Sequence, residues 1–314
     1  MSKKVATREA YGKALARMGA VNSNIVVLDA DLSKSTKTAD FAAVFPDRFF
    51  DMGVAEQNML GTAAGLAAAG KIPFASSFAV FATGRAFEQI RNSIAYPKLN
   101  VKIAATHAGI SVGEDGASHQ SIEDISLMRT LPNLTVIVPA DAVETEKAVE
   151  AAVEINGPVY LRLGRLGLPA VFDENYQFEV GKAVTVKEGS DITIIACGLM
   201  VGHAVEAAEM LAAENISTRI INMHTIKPID RDTVIKAARE TGAIVTAEEH
   251  SIIGGLGSAV AEVLVQSEPV PQEMIGVRDT FGESGKPAEL LQKYGLMPAD
   301  IVTAVKKALD RKNG

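Results

Sequence analysis

The 314-residue sequence has no tryptophan, a single cysteine and only 5% aromatic residues. The lone Cys197 excludes an intramolecular disulfide framework and a cysteine-based zinc site. Neither an apolar run of about 18 residues nor a long basic run occurs, so we expect no membrane-spanning helix and no general nucleic-acid or anionic-membrane surface. The N-terminal residues lack the apolar centre of a signal peptide. These absences favour a soluble protein of a reducing cytoplasm.

What the sequence does contain is a core of small and branched aliphatic residues, with 47% hydrophobic content. This composition suits parallel sheets that are buried on both faces. The net charge of −7 means that any anionic ligand must be held by a few placed cations. The length favours two domains of about 100–200 residues each.

Strand patterns alternate with helix patterns along most of the chain, which indicates right-handed βαβ units. The clearest helix patterns cover residues 7–21, 85–95, 142–155 and 231–241. This alternation stops in a stretch without sustained periodicity, and a second series of alternating strand and helix patterns follows that stretch. We therefore predict an α/β protein of two domains, each a mainly parallel sheet flanked by helices. The first domain is placed at 1–166, the linker at 167–187 and the second domain at 188–314.

Residues 51–70 combine one carboxylate with a helix made largely of glycine, alanine and threonine. Glu56 stands where this helix opens. It could simply stabilise the positive end of the helix dipole. A helix with so little side-chain bulk must also pack closely against something large.

Residues 106–120, T-H-A-G-I-S-V-G-E-D-G-A-S-H-Q, follow a predicted strand, where open α/β sheets hold ligands. His107, Asp115 and His119 could in principle bind a metal, but their spacing matches no standard ligand pattern. A polar pocket for a hydroxylated, anionic small molecule and a plain turn are the other interpretations. Two further glycine motifs, at 254–259 and 282–287, lack residues that the dinucleotide and P-loop patterns require.

Four stretches taken together resemble transketolase, and they occur in the same order. They are D-M-G-V-A-E-Q-N-M from Asp51, S-F-A-V-F from Ser77, the histidine-containing loop above, and F-G-E-S-G from Phe281. The resemblance covers essentially the whole chain but only the C-terminal half of that enzyme. It corresponds to the pyrimidine-binding and C-terminal domains, as in transketolases split into two polypeptides.

The resemblance implies thiamine diphosphate as the cofactor. Glu56 would hydrogen-bond N1′ of the aminopyrimidine ring and promote the imino form that removes the C2 proton. Phe78 and Phe81 would pack on the pyrimidine, although ordinary core packing would equally explain them. His119 would lie near the reacting carbons, which makes Glu56 and His119 the implied catalytic residues.

The same resemblance implies a sugar-phosphate site. His107 would help to hold the phosphorylated sugar and Asp115 would bind a hydroxyl group. The implied phosphate contacts are Arg8, Ser35 and Arg165, and paired arginine donors suit such an anion. Ala108 departs from the family pattern, which commonly has aspartate at this position.

A second departure concerns the metal. The sequence has no GDG motif with its downstream asparagine, which in this family holds magnesium and the diphosphate. The resemblance therefore implies no metal ligand in this chain and Mg²⁺ bound mainly by an N-terminal transketolase subunit, in an α2β2 heterotetramer.

The function implied is transfer of a two-carbon ketol unit between ketose and aldose phosphates, a reaction of the pentose phosphate pathway. Three alternatives stay open at this point. They are an activity like that of 1-deoxyxylulose-5-phosphate synthase, the beta subunit of a 2-oxoacid dehydrogenase complex, and a non-catalytic assembly subunit.

Overall fold

Two mainly parallel sheets organise the computed structural model, which describes residues 4–314. The first three residues of the predicted 1–166 domain therefore lie outside the described part. The strands are β1 (Val5–Ala6), β2 (Ile25–Asp29), β3 (Phe49–Asp51), β4 (Ile72–Ser76), β5 (Lys102–Ala105), β6 (Thr135–Ile137), β7 (Val159–Arg162), β8 (Gly167–Leu168), β9 (Val184–Lys187), β10 (Ile192–Ala196), β11 (Thr218–Asn222), β12 (Thr225–Lys227), β13 (Ile244–Ser251) and β14 (Gln272–Val277).

Helices flank both sheets. They are α1 (Thr7–Val21), α2 (Ser33–Thr36), α3 (Ala39–Val44), α4 (Glu56–Ala68), α5 (Asp124–Thr130), α6 (Ala142–Glu154), α7 (Met200–Ala212), α8 (Arg231–Thr241), α9 (Leu256–Ser267), α10 (Pro287–Lys293) and α11 (Pro298–Asn313). Short 3-10 turns occupy Pro46–Arg48 and Ile110–Val112.

The first sheet has seven strands in the order β12-β6-β7-β5-β4-β2-β3, and the second has five in the order β14-β13-β10-β11-β9. In each sheet one edge strand, β12 or β9, is antiparallel and the remaining pairs are parallel. This arrangement confirms the predicted α/β class with two mainly parallel sheets. The exact domain boundaries stay a prediction.

The two domains share buried apolar surface and part of a sheet. One apolar cluster includes Leu134 of the first domain together with Ile195 and Leu256 of the second. Strand β12, which follows β11 in the chain, pairs with β6 of the seven-stranded sheet. Within residues 4–314, no helix is both long and apolar enough to cross a membrane.

The helix predicted over 85–95 takes a different form. The chain forms π-helical turns over Phe81–Arg85 and Gln89–Ala95. Such wide turns arise where an extra residue is accommodated in a helix, and they occur often at functional sites. The predicted helical character is confirmed, and the turns are wider than those of an α-helix.

Candidate active site

The carboxyl ends of neighbouring parallel strands bring the predicted site residues together. Ser77 and Phe78 follow β4, His107 follows β5, and Arg165 lies just beyond β7. Because β4, β5 and β7 are adjacent and parallel, these residues meet at one edge of the sheet. Ligands bind at this edge in open α/β sheets.

Glu56 is the first residue of α4, and it is only 1% exposed. Arg85 Nη1 donates to Glu56 Oε2 at 2.7 Å, although the Arg85 side chain is 47% exposed. Ser77 Oγ donates a longer bond, 3.3 Å, to Glu56 Oε1. The carboxylate is thus buried beside one movable cation, and Oε1 keeps capacity to accept from a ring nitrogen. A protonated aminopyrimidine fits this donor and acceptor set.

An aromatic surface lies beside Glu56. The rings of Phe78 and Phe81 are stacked with centroids 6.1 Å apart and planes within 12°. The Arg85 guanidinium lies 4.7 Å above Phe81, so its contacts with this ring and with Glu56 hold it across the pocket. Flat rings of this kind favour stacking with a heteroaromatic ligand.

Both histidines of the loop contact this aromatic pair. The His107 ring stacks on Phe78 at 3.8 Å, and the His119 ring meets Phe81 edge-on at 5.2 Å. The backbone of His107 has a φ of +56°, which is a left-handed conformation that few residues other than glycine adopt. The geometry therefore places His107 and His119 against the same pair of aromatic rings, and their substrate roles stay a prediction.

Positively charged groups converge next to His107. Arg8 Nη1 donates to the Ser35 carbonyl oxygen at 2.8 Å and lies 3.4 Å from His107 Nε2. Burial lowers the pKa of Arg8, and the positive charge of Arg165 lowers it further, whereas the negative charge of Glu9 raises it. Arginines still carry their charge at neutral pH, so Arg8 presents a positive charge beside His107. Such a charge can bind a phosphate group.

His107 itself is neutral at physiological pH. Burial and the charges of Arg8, Arg165 and His119 lower the pKa of His107 to about 3. Because Arg8 donates toward Nε2, the proton is assigned to Nδ1, which lies 2.8 Å from Thr106 Oγ1. His107 can therefore act as a hydrogen-bonding group but not as a proton donor from an imidazolium.

The turn that carries Ser35 is held by Asp29 at the end of β2. The carboxylate of Asp29 accepts from the Leu32 N–H at 2.6 Å, from Thr36 Oγ1 at 2.7 Å and from Thr38 Oγ1 at 2.8 Å. Ser35 is half-buried in this turn. Its backbone carbonyl contacts Arg8, and its side chain remains available to a ligand.

Asp115 lies apart from this cluster. It is exposed, as is its neighbour Glu114, which pairs with Arg165 at 3.0 Å. The hydroxyl-binding role of Asp115 stays a prediction. Among residues 4–314 no group of three or more histidines, cysteines and carboxylates is arranged to hold a metal ion.

Sequence reasoning missed three groups that shape the pocket. Arg85 follows the S-F-A-V-F motif closely, yet nothing in the local pattern pairs it with Glu56. Ser77 begins that motif, but the motif by itself gives Ser77 no contact with Glu56. Gln120 ends the loop and donates from Nε2 to the Glu283 carbonyl of the second domain at 2.9 Å, a contact between residues 163 positions apart.

Family models match nearly the whole chain. The transketolase pyrimidine-binding domain matches residues 3–170, and the transketolase C-terminal domain matches residues 181–301. These two matches agree with the site geometry at the end of the seven-stranded sheet.

Individual proteins give the same result. A putative transketolase C-terminal section of Methanocaldococcus jannaschii is 51% identical over 97% of this chain and 96% of its own length. Human transketolase is 40% identical over 96% of this chain, but the match covers only 49% of the human protein. A solved split-gene transketolase, described as an inactive β4 tetramer, has a TM-score of 0.93 and 63% identity over 98% of this chain and 99% of its own.

These relatives do not favour the alternatives left open by the sequence. The chain belongs to the transketolase family, and it corresponds to the pyrimidine-binding and C-terminal domains of that family.

Proposed function

We propose that this chain is the C-terminal subunit of a heteromeric transketolase that moves a two-carbon ketol unit between ketose and aldose phosphates. The single observation that supports this most is the convergence of two features at one sheet edge. A buried carboxylate, Glu56, lies beside stacked aromatic rings, and Arg8 lies next to them against His107, which stacks on Phe78.

Thiamine diphosphate would supply the nucleophilic carbon that takes up the two-carbon unit. Glu56 would accept a hydrogen bond from the aminopyrimidine ring at Oε1, while Arg85 stays bound to Oε2. Phe78 and Phe81 would hold the ring in position by stacking. The buried setting of Glu56 favours proton sharing with a ring nitrogen over hydration by bulk water.

The substrate side of the pocket would use the other predicted residues. Arg8 and Arg165 would bind the phosphate, with Ser35 as an additional contact. Neutral His107 would hydrogen-bond the bound sugar. The remaining two roles, His119 beside the reacting carbons and Asp115 at a hydroxyl group, complete the proposed site.

We further propose that a partner subunit binds Mg²⁺ and the diphosphate, in an α2β2 assembly. Support comes from the missing GDG motif and from the half-length match to human transketolase. The solved relative made only of β chains is described as inactive, which agrees with a need for the partner. The single, buried Cys197 suits the reducing cytoplasm, where we place the complex.

The test is reconstitution with the N-terminal subunit, followed by a ketol-transfer assay with and without thiamine diphosphate and Mg²⁺. Activity should need both chains and should fall by about 100-fold or more in Glu56→Gln, because that side chain cannot accept the same proton. Glu206→Gln, on the exposed face of α7, is the matched control. Full turnover by Glu56→Gln, or by this chain alone, would contradict the proposal.

A further inference from the structure

The loop of residues 109–120, here called the substrate loop, packs flush against the second domain. A Cβ atom added at Gly109 would lie 2.3 Å from Glu249 Cδ, and one added at Gly116 would lie 2.5 Å from Ser284 Oγ. Both glycines have positive φ, +87° and +76°. The loop therefore has no room for side chains at these points, and the second domain supplies the surface against which it is shaped.

Glu249 forms the first specific contact. Its Oε1 accepts the Ser111 N–H at 2.6 Å, and its own carbonyl accepts from Arg162 Nη2 at 2.8 Å. Glu249 is 5% exposed at the end of β13, and Arg162 is itself bound to Asp124 at 2.7 Å. Arg162 of the first domain thus holds the Glu249 backbone, and the Glu249 carboxylate in turn holds the first turn of the substrate loop.

Gln120 forms the second contact, at the other end of the loop. Its Nε2 donates to the carbonyls of Ile110 at 3.1 Å, Gly113 at 3.3 Å and Glu283 at 2.9 Å. One amide thus closes the loop on itself and attaches it to the F-G-E-S-G segment. A Cβ atom at Gly282 would lie 1.8 Å from Gln120 Oε1, so this segment also needs glycine at the contact.

A loop with three glycines has a large conformational entropy to lose, and its shape depends on contacts made outside it. His119 and Asp115 lie on this loop, whereas Arg8 and His107 lie outside it. Contacts made by the second domain therefore help to set the position of His119 relative to Phe81.

We propose that the C-terminal domain holds the substrate loop in its working shape, with Glu249 and Gln120 as positioning residues for the reaction. This inference rests on the proposed function, because it assigns the loop to substrate. It gives the second domain a part in catalysis through the shape of the loop.

Hydrogen exchange measured by mass spectrometry on the reconstituted complex tests the loop directly. In Glu249→Ala the Ser111 N–H loses its acceptor, and we expect exchange in peptides covering 109–120 to speed up about tenfold or more. Glu249→Gln keeps an amide oxygen for that N–H and should restore slow exchange. Glu289→Ala, on the exposed side of α10, should leave the loop unchanged.

Kinetics separate positioning from general stability. In Gln120→Met, which keeps the volume but removes the donors, we expect kcat to fall about tenfold while KM for the sugar phosphate changes less than about threefold. If Glu249→Ala does not fold, Gln120→Met still tests whether these contacts hold the substrate loop in shape. Unchanged exchange in the loop of these variants, or Glu249→Gln as fast-exchanging as Glu249→Ala, would overturn the inference. Absence of ketol transfer by the wild-type complex would instead contradict the proposed function and leave the exchange result intact.

Discussion

Glu144→Gln should make the protein more stable at alkaline pH. Glu144 lies in the first turn of α6 and is completely buried. Its Oε2 accepts the Ala140 N–H at 2.7 Å, and its Oε1 accepts from the Tyr176 hydroxyl and from Asn222 Nδ2 at 2.7 Å. One carboxyl group therefore connects the first domain, the predicted linker and the second domain.

Burial, opposed by these hydrogen bonds, raises the pKa of Glu144 to about 7 from an ordinary value of 4.5. The folded protein keeps the proton between these pH values, whereas the unfolded chain releases it. The stabilisation is fully present below pH 4.5 and is lost as the pH rises through 7. The difference between the folded and unfolded pKa values corresponds to about 3 kcal/mol of folding free energy. About 2 kcal/mol of this stabilisation is lost between pH 5.5 and 8.5.

Glutamine reproduces the protonated form at every pH. Its carbonyl oxygen can take the Ala140 N–H, and its amide can donate to Asn222 Oδ1, a buried atom without a hydrogen-bond partner in residues 4–314. We therefore expect Glu144→Gln to lie within about 1 kcal/mol of wild type at pH 5.5 and to gain about 2 kcal/mol relative to it by pH 8.5.

Thermal unfolding of both proteins at pH 5.5 and 8.5, at one protein concentration, measures this difference. The Tm of the variant relative to wild type should rise by about 3 °C between the two pH values. Glu154→Gln, at the exposed end of the same helix, is the control and should shift neither curve. Parallel Tm changes in wild type and Glu144→Gln would refute the reasoning.

Two further predictions concern charged groups. Asp124→Asn should lower the free energy of unfolding by about 3–5 kcal/mol. The reason is that Asp124 is buried and accepts hydrogen bonds from Arg162 at 2.7 Å and from the Tyr160 hydroxyl at 2.6 Å. Urea unfolding measures the loss, and a change below about 1 kcal/mol would contradict the prediction. Arg8→Ala or Arg165→Ala should raise KM for a sugar phosphate by about tenfold or more, with little effect on an unphosphorylated ketose donor; equal effects on both donors in steady-state assays would argue against a phosphate contact.

Local patterns predicted those parts of the fold that depend on local interactions. The helix predicted over 231–241 is the observed α8, and the one predicted over 7–21 is α1. Apolar periodicity defines such elements because each buries one face. The short strand β12 was missed since three residues carry no usable period, and its pairing with β6 depends on a fold that is complete around it.

In the candidate site, too, sequence motifs predicted some residues, whereas others depend on contacts between distant parts of the chain. The motif resemblance indicated Glu56, His107 and His119, and the fold brings the two histidines onto the rings of Phe78 and Phe81. It could not indicate Arg85, whose contact with Glu56 depends on the π-helical turns, nor Glu249, which meets the substrate loop from 138 residues further along the chain. Contacts of this kind depend on how domains pack, and the linear pattern of residues does not encode that packing in any short window.

Strand β12 has a consequence for how the protein emerges from the ribosome. Until Thr225–Lys227 has been synthesised, the outer edge of β6 has no neighbour and presents unsatisfied amide and carbonyl groups. The nascent first domain is therefore exposed to wrong pairing with other chains for as long as synthesis of the intervening residues takes. Translation speed and chaperone access over this interval thus become part of what the cell must control to obtain a working subunit.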